Sequence, residues 1–414
     1  MKTDHKKDPS ILLDRQFPES SASTNTSCPC CGSNKISIFY ELKGLPVQSV
    51  LLVSTRDAAL DFPKGEISLG FCHNCGFIFN SAFDAAMVKY ISMYESTQRF
   101  SPTFSTFAQE MARSLIDRYD LQDKTLLEIG CGNGEFLKIL CKLGGNYGIG
   151  FDPSYMAEHS DKTSLKNVTF IKDFYSEKYA AYQADFVCCK MTLEHIQHAA
   201  DFVGILRRTI GRNSDTIVFF QVPDVTRILK DCAFEDIYYE HCSYFSPGSL
   251  ARLFRKCGFD VLRLDTEYEG QYLVIEAKID NQKSPLILPQ EDDLETLGDY
   301  VSDFHERCQK KLIPWRQRIE KIRKENKRAV IWGSGSKGVA FLTTLKIFNE
   351  IEYAVDINPY RQGTYMPVTG QKIVSPEFLN EYRPDVVIIM NSVYVNEIKQ
   401  NLTRMGLAPK ILTL

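Results

Sequence analysis

The sequence predicts an α/β protein in three parts: a small cysteine-bearing module, then two units that each contain a parallel sheet with helices on both faces. Three observations lead to this prediction. Five cysteines lie close together between residues 28 and 75. Short apolar runs alternate with helical segments from Thr125 onward, and the same alternation returns at Ala329 after a long charged helical stretch.

Size and charge narrow the possible functions. The chain has 414 residues, enough for two to three domains, and its 49 Lys and Arg against 52 Asp and Glu give a net charge of −3. This balance argues against a protein built mainly to bind nucleic acid or a membrane surface. No apolar run approaches the roughly 18 residues that span a bilayer, and the start of the chain lacks a secretory signal. The other cysteines are scattered, as is typical of buried thiols in a reducing compartment, so we expect a cytoplasmic protein. We expect it to be a monomer or a dimer.

The first third of the chain divides into three segments. Residues 1–27 are polar and aperiodic, which predicts a disordered tail. Residues 28–80 form the cysteine module, with β-like runs at Ile36–Tyr40 and Ser49–Val53. Residues 81–122 are predicted to be a helical lead-in to the central unit, which extends to residue 280. Its apolar residues at helical spacing are Phe107, Met111, Leu115, Ile116 and Tyr119.

The predicted strands of the central unit are Thr125–Ile129, Asn146–Phe151, Val168–Ile171, Ala184–Cys189 and Thr216–Val222, followed by a hairpin of Val261–Tyr268 and Gln271–Ile279. Residues 281–327 read as a helical connector that is interrupted near Pro314. Residues 328–414 form the second α/β unit. Its predicted elements are the strands Ala329–Trp332, Tyr353–Val355 and Asp385–Met390, and a helix over Gly338–Leu345.

The clustered cysteines include two CxxC pairs, each followed by a glycine. Such a turn presents two thiolates from one loop, and Zn²⁺ takes four thiolate or imidazole ligands in a tetrahedron. Four protein ligands leave no open position, so we expect a structural zinc ion. An unmetallated pair of turns, or a redox pair, is the alternative. The predicted zinc ligands are Cys28, Cys31, Cys72 and Cys75.

A strand, a glycine-rich turn and a helix follow one another over Leu126–Leu137. Glycines let the backbone approach a ligand, and the helix start offers unpaired N–H groups. The turn alone would suit a dinucleotide equally well. Three acids near the first three strand ends make it resemble the S-adenosylmethionine (SAM) site of class I methyltransferases, with Asp152 at the ribose and Asp173 near the adenine. The candidate SAM-binding residues are Glu128, Gly130, Gly132, Asn133, Asp152 and Asp173.

Titratable groups also lie near predicted strand ends, where open α/β sheets bind ligands. Glu194-His195 follows the fourth strand, and Tyr238-Tyr239-Glu240-His241 follows the fifth. Two tyrosines, a carboxylate and an imidazole are a costly way to fill a core, so the second group favours function. For Glu194-His195, a buried and satisfied imidazole explains the pattern equally well.

A second glycine-rich turn, Gly333-Ser-Gly-Ser-Lys-Gly338, joins a strand to a helix, and Asp356 ends the next strand. The spacing fits a dinucleotide-binding turn. The alternative is a duplicated fold whose turn packs on its neighbour.

In this order, the four motifs resemble the sugar C-methyltransferases that act on nucleotide-linked 4-keto deoxysugars. The resemblance covers roughly residues 28–414. It implies an N-terminal zinc-binding module, a central class I Rossmann-like methyltransferase domain, and a C-terminal Rossmann-like domain that helps hold the nucleotide sugar rather than NAD. The substrate-binding residues it implies, within Gly333–Gly338 and the run Ala354–Gly363, are Gly335, Lys337, Asp356, Asn358 and Arg361.

The resemblance also implies catalytic residues. These are His241, Glu240, Tyr238, His195 and Tyr94. A sugar carbon becomes nucleophilic only after it loses a proton next to a ketone, so we expect His241 to be the base, oriented and made more basic by Glu240. Tyr238, Tyr94 or His195 would donate to the developing oxyanion.

Two departures from the family pattern bear on the acceptor: Met191 replaces a common Asn, and residues 390–394 replace a Pro-Trp-Asn run. Three other functions stay open at this point. They are methylation of an oxygen or nitrogen with SAM, an RNA-binding or RNA-modifying zinc-ribbon protein, and a dehydrogenase that uses the second glycine turn.

Overall fold

The computed structural model describes residues 27–90, 93–157, 166–211, 213, 215–280 and 286–414. The tail predicted over residues 1–27 lies outside the described residues, apart from Ser27. The strands of the described residues are β1 (Ile36–Pro46), β2 (Lys64–Cys72), β3 (Ile78–Asn80), β4 (Thr125–Ile129), β5 (Tyr147–Phe151), β6 (Val168–Ile171), β7 (Phe186–Lys190), β8 (Ile217–Pro223), β9 (Ser243–Tyr244), β10 (Phe259–Glu267), β11 (Tyr272–Ile279), β12 (Ala329–Trp332), β13 (Tyr353–Val355), β14 (Lys372–Val374), β15 (Val386–Ile389) and β16 (Lys410–Thr413).

Side-chain caps and proline set the starts of several helices. Ser101 accepts a hydrogen bond from the first turn of α2 and precedes Pro102, and Ser246 forms a capping box with Ser249 before α6. The α-helices of the same residues are α1 (Arg56–Leu60), α2 (Pro102–Tyr119), α3 (Glu135–Gly144), α4 (Ala199–Ile210), α5 (Val225–Asp231), α6 (Pro247–Lys256), α7 (Leu294–Ser302), α8 (Phe304–Lys324), α9 (Ser336–Leu345), α10 (Leu379–Tyr382) and α11 (Val395–Arg404).

The central sheet has seven strands in the order β10-β11-β8-β7-β4-β5-β6, and β11 runs antiparallel to both of its neighbours. Both faces are covered, which explains why its strands read as nearly continuous apolar runs. One face packs on α2 and α3, and the other on α4 and α6. The chain first builds outward from β4 through β5 to β6 and then returns to β7. The carboxyl ends of β4 and β7 therefore form a switch point, where such sheets bind ligands.

The C-terminal sheet also reverses direction in its strand order. It has five parallel strands in the order β14-β13-β12-β15-β16. Its switch point lies between β12 and β15. Strands β14 and β16 at its two edges were not predicted from the sequence, because each has only two apolar residues, whereas β12, β13 and β15 are apolar throughout. The fold class predicted from the sequence is confirmed: two parallel-sheet units follow a cysteine-bearing module.

The N-terminal sheet is antiparallel, in the order β1-β2-β3-β9. Its last strand comes from the central unit, since Ser243 pairs with Phe79 and Tyr244 pairs with Ile78. This strand begins two residues after His241. The pairing therefore fixes the loop that carries His241 against the cysteine module.

Three local predictions are wrong. The described part of residues 81–101 contains one short 3₁₀ turn, Ala85–Met87, and the helix begins only at Pro102, because Ser101 caps it there. Ser49–Val53 forms a single bridge, between Leu51 and Tyr94, rather than a strand. The connector breaks at Asp303, between α7 and α8, and α8 continues through Pro314. A buried stripe spans the proline and offsets its lost hydrogen bond: Phe304, Cys308, Leu312, Trp315, Ile319 and Ile322.

Among the helices of the described residues, none has the length and apolarity needed to cross a membrane.

Candidate active site

The glycine turn after β4 holds a backbone conformation that side chains rarely adopt. Gly130 has φ +70°, and a Cβ added there would lie 2.0 Å from Oγ1 of Thr192. Only glycine fits at this close approach between two strand ends. A Cβ on Gly132 would meet nothing within 4 Å, so open space lies beside the turn. The turn leads directly into α3, and both line one cavity.

Two carboxylates hold this turn in place. Oδ2 of Asp152, just after β5, accepts a hydrogen bond from the Gly132 N–H at 2.8 Å. Oε2 of Glu128, inside β4, accepts one from the Leu137 N–H at 3.0 Å. Burial raises the pKa of Glu128 to about 8. Asn133 links the turn to the chain after β5, because its Oδ1 accepts from a backbone N–H at 3.3 Å.

Asp173 lies at the rim of the same space. Its Oδ2 accepts hydrogen bonds from Lys178 Nζ at 2.5 Å and from the Tyr179 hydroxyl at 2.6 Å. These bonds, the one from Lys178 first, lower the pKa of Asp173 to about 2. The carboxylate is therefore charged, and its side chain stays 37% exposed toward the cavity mouth.

The cavity has a volume of about 830 Å³, within the usual range for small-molecule sites. It extends from the glycine turn after β4, past the loop of His241, to the glycine turn after β12. Every residue predicted to bind SAM, to act in catalysis or to bind the sugar lines it. The switch point of the central sheet and that of the C-terminal sheet thus border the same cavity.

His195 has a fixed orientation within this cavity. Its Nδ1 lies 3.0 Å from the carbonyl oxygen of Glu240. A carbonyl only accepts, so Nδ1 carries the proton, and Nε2 of the neutral ring is an acceptor. Burial lowers the pKa of His195 to about 4. The expectation that His195 donates to an oxyanion is therefore wrong for the neutral ring, which has no second N–H.

His241 lies against Glu194 rather than against Glu240, its neighbour in sequence. Its Nε2 is 4.0 Å from Oε1 of Glu194, and its ring centroid is 4.8 Å from that of His195 and 4.1 Å from that of Tyr238. Within the described residues, Nδ1 of His241 and both carboxyl oxygens of Glu194 are buried without a hydrogen-bond partner. These atoms are the ones a ligand would satisfy.

The electrostatics of this pair also differ from the expectation. Burial, then His195 and Lys337, lowers the pKa of His241 well below 6.5, whereas a contact with Glu240 was expected to raise it. Burial raises the pKa of Glu194 to about 8. At neutral pH the pair is therefore an unprotonated imidazole beside a carboxylic acid.

Glu240 holds two other groups. Its carbonyl accepts from His195, and its Oε1 accepts from the Ser49 N–H at 3.1 Å. Burial raises the pKa of Glu240 to about 7. Burial also raises the pKa values of Tyr94 and Tyr238 well above 10, so both phenols stay protonated and can donate.

In the C-terminal turn, three of the predicted sugar-binding residues bond mainly to the protein itself. Oδ2 of Asp356 accepts from the Ser334 N–H at 3.0 Å. The Arg361 guanidinium donates to the Ser334 carbonyl at 2.9 Å and to the carbonyl of Glu95. Asn358 donates to Oε1 of Glu95 at 3.1 Å. Asn358 and Arg361 are only 3% and 6% exposed.

Lys337 has a different environment. Its Nζ lies 2.6 Å from Oδ1 of Asp236, and Arg227 also donates to that carboxylate. All three side chains line the cavity. Two cations sharing one carboxylate leave a net positive charge, which suits an anionic ligand. Sequence reasoning missed Arg227 and Asp236, although both lie in the segment 224–244 that carries His241.

Lys190 and Met191, at the end of β7, also line the cavity. Nζ of Lys190 lies 3.5 Å from the ring centroid of Phe136, and burial lowers its pKa. No sequence motif indicated Lys190. Met191 has φ +49°, a conformation that costs energy for a side chain of this kind.

The four predicted zinc ligands converge at a distance from this cavity. Their sulfur atoms lie within 4.8 Å of one another, with Cys28 and Cys75 at 3.7 Å and Cys31 and Cys72 at 3.6 Å. A tetrahedral ion with Zn–S bonds of about 2.3 Å requires sulfur atoms about 3.8 Å apart. Two of the sulfur pairs match this spacing, and the set of four thiols could hold a tetrahedral zinc ion. None of them lines the cavity, which agrees with a structural metal.

Comparison with known families gives two matches. Residues 104–264 match the model of a methyltransferase domain. Residues 281–408 match the model of a C-methyltransferase C-terminal domain. Both agree with the family that the motifs predict.

Among curated proteins, C-methyltransferase NovU from Streptomyces niveus is 27% identical over 196 residues, which cover 45% of this chain and 47% of that protein. The matched part therefore spans about half the length of this relative. Among solved structures, the magnesium protoporphyrin IX methyltransferase of Synechocystis PCC 6803 aligns at TM-score 0.34 and 16% identity, over 43% of this chain and 84% of that one. A SAM-dependent methyltransferase from Aquifex aeolicus aligns at TM-score 0.34 and 18% identity, over 44% and 94%.

Proposed function

We propose that this chain, a class I SAM-dependent methyltransferase of a C-methyltransferase family, methylates a carbon atom of a nucleotide-linked keto sugar. One observation carries the proposal. A single cavity joins a SAM-type glycine turn, a neutral imidazole–phenol cluster and a cationic group on the C-terminal domain.

The donor end of the cavity fits SAM. The space beside Gly132 leaves room for a ligand against the backbone. Asp152 would receive the ribose hydroxyls, and Asp173 lies at the rim on the adenine side. SAM, when bound, supplies an electrophilic methyl group on sulfur.

The proton-accepting groups lie in the middle of the cavity. His241 is unprotonated at neutral pH, and its Nδ1 lacks a protein partner in the described residues. In this proposal, His241 takes the proton from the carbon next to the ketone. The electron pair moves to the ketone oxygen as an enolate, and the carbon then attacks the methyl group while the sulfur departs. The proton stays on His241 until product release.

Hydrogen-bond donors for the enolate surround the same position. The ring of Tyr238 lies tilted against His241, with centroids 4.1 Å apart, and Tyr238 keeps its phenolic proton, as does Tyr94. Glu194, protonated at neutral pH, adds a third donor beside the base. Such donors stabilise an oxyanion strongly, because the buried site has a low dielectric.

The C-terminal end supports an acceptor with phosphate groups. Lys337 and Arg227 place two cations around Asp236, next to the first turn of α9, whose N–H groups attract anions. A diphosphate here would displace part of the Asp236 contact. The sugar would then lie between the cations Lys337 and Arg227 on one side and His241 on the other.

Methylation of carbon is favoured over oxygen or nitrogen by the buried base. A hydroxyl or amine acceptor needs little more than alignment with the methyl group. A carbon acceptor needs a base and an enolate site together, and the cavity holds both. No observation favours the RNA-binding or dehydrogenase alternatives.

The test is turnover on a panel of nucleotide-linked 4-keto-6-deoxyhexoses with SAM. We expect one acceptor to gain a methyl group whose carbon-13 NMR signal marks a carbon–carbon bond. In deuterated buffer without SAM, the same acceptor carbon should exchange its hydrogen. A methyl group on oxygen or nitrogen contradicts the proposed acceptor atom. Absence of S-adenosylhomocysteine (SAH) binding contradicts the donor as well.

A further inference from the structure

The segment Tyr94–Ser101, here called the strap, contacts three parts of the molecule. Residues 81–101 were expected to be helical, but the strap contains no helix; it joins the N-terminal module to α2 and turns at Arg99-Phe100. Its side chains line the cavity from Tyr94 to Ser101, except for Glu95, which is buried. The strap therefore lies between the donor end and the C-terminal domain.

Glu95 anchors the strap to the C-terminal domain. It is 2% exposed, and both its backbone and side chain are held. Arg361 donates to its carbonyl, and Asn358 donates to its Oε1 at 3.1 Å. Arg361 is itself fixed by the Ser334 carbonyl at 2.9 Å. Arg361 and Asn358, in the turn after β13, thus both hold Glu95 in place.

Further along, the strap makes two more contacts with the same domain. Gln98 accepts from the Tyr394 hydroxyl at 2.8 Å. Ser101 donates to Oε2 of Glu397 at 2.7 Å. These contacts extend the anchor over the whole length of the strap.

The other side of the strap faces the donor and catalytic groups. Thr97 donates to Glu135, the first residue of α3 after the glycine turn, and Nε of Arg99 lies 3.7 Å from the same carboxylate. Tyr94, next to Glu95 in sequence, lines the cavity, and its ring centroid lies 5.4 Å from that of Tyr90. A displacement of Glu95 would therefore move the wall of the donor site on one side and Tyr94 on the other.

We propose that Arg361 and Asn358 are positioning residues that shape the donor site through Glu95. Neither residue is within the central domain. Their bonds to Glu95 fix the strap, and the strap fixes Glu135 and Tyr94. The C-terminal domain then serves donor binding as well as acceptor binding. This inference rests on the proposed function only in naming SAH as the ligand of the donor end.

The test exchanges the hydrogen-bonding partners at Glu95. Asn358→Asp keeps the oxygen that accepts from the Tyr360 N–H and removes the N–H₂ that donates to Glu95. Glu95→Gln in the same chain restores a hydrogen bond to position 358 with donor and acceptor exchanged, although its amide nitrogen then faces the Thr97 N–H, which donates to Oε1 of Glu95 at 3.1 Å. Arg361→Ala removes the guanidinium that donates to the Glu95 carbonyl. Arg404→Ala, on an exposed residue of α11 in the same domain, is the matched control.

Two measurements are made on the full chain: SAH affinity by calorimetry, and hydrogen exchange of peptides that cover residues 93–101. We expect N358D and R361A to weaken SAH binding about fivefold or more, the low end of coupling between sites, and to speed exchange of the strap. The N358D/E95Q pair should recover part of the affinity, because the bond to position 358 returns while the one from the Thr97 N–H is lost. R404A should match the wild type.

Unchanged SAH affinity in folded N358D overturns the inference, and so does a double variant that recovers nothing. If R361A does not fold, the N358D series decides alone. Failure of the wild type to bind SAH would instead overturn the proposed function, so the two failures are distinguishable.

Discussion

Nδ1 of His195 donates to the carbonyl oxygen of Glu240 at 3.0 Å, while Nε2 of His241 lies 4.0 Å from the carboxyl group of Glu194. Glu240 therefore holds His195, the residue that follows Glu194 in sequence. Glu194 lies against His241, the residue that follows Glu240. This crossed arrangement fixes the tautomer of His195 and leaves His241 free toward the ligand.

Replacing the proposed base should abolish most turnover. We expect His241→Asn to lower kcat by about 10²–10⁴, the usual contribution of a general base, with little change in SAH affinity. His195→Asn should lose less, because the asparagine amide can still donate to the Glu240 carbonyl. His198→Asn, on an exposed residue outside the cavity, is the control. The measurement is steady-state kinetics with the acceptor found in the panel. The reverse order of losses would assign the base to His195.

The dependence of kcat on pH should show an acid limb and an alkaline limb. His241 must be unprotonated to accept a proton, and its pKa is lowered by burial, so the acid limb should lie below pH 6.5. The pKa of Glu194 is about 8, and its ionisation would place a negative charge beside the developing enolate, so kcat should fall above about pH 8. Glu194→Gln keeps a donor that does not ionise and should remove the alkaline limb. An alkaline limb unchanged in E194Q contradicts this role.

The same carboxyl group should make stability depend on pH. Burial raises the pKa of Glu194 from 4.5 to about 8 in the folded state, so the folded protein holds this proton more tightly than the unfolded chain. Its contribution is complete below about pH 4.5 and is lost as pH rises toward 8. We expect E194Q to gain stability relative to the wild type at pH 8.5 but not at pH 4.5. Urea unfolding at both values measures this, and equal differences at both would contradict it.

Substitutions of Cys31 and of its neighbour Cys30 should have different effects, because only Cys31 is a predicted zinc ligand. Cys31→Ser should remove the metal and lower stability by more than about 4 kcal/mol, as loss of a structural metal does. Cys30→Ser should retain about one zinc per chain, because Cys30 is not among the four converging thiols. Metal content by mass spectrometry and unfolding by denaturant test both. Loss of zinc in C30S would contradict the ligand set.

Met191 should be a strained position. At φ +49° a methionine is disfavoured, whereas asparagine tolerates this region. We expect Met191→Asn to raise stability by about 0.5–1 kcal/mol, with SAH affinity unchanged. Met191→Leu, which keeps the strain, should give no gain. Denaturant unfolding of the three proteins is the measurement, and a gain in both variants would point to packing rather than to backbone strain.

Local patterns were sufficient for most of the fold and for the family. Glycines at positive φ, acids at strand ends and CxxC turns are short-range requirements of backbone geometry, so the turn at Gly130, the position of Asp152 and the group of four converging cysteines could be predicted from local sequence. The predicted C-methyltransferase family is confirmed by the two domain matches. Short edge strands such as β14 and β16, whose pattern is weak, could not be predicted.

The sequence by itself determined which chemical groups this protein has and the order in which they occur. Only the tertiary structure decided which of them meet: Glu194 with His241, Arg227 with Lys337 around Asp236, and Arg361 with Glu95, 266 residues away along the chain. Side-chain types and spacings are local properties. The pairing of distant groups depends instead on how three sheets pack around one cavity, which no short stretch of the chain encodes.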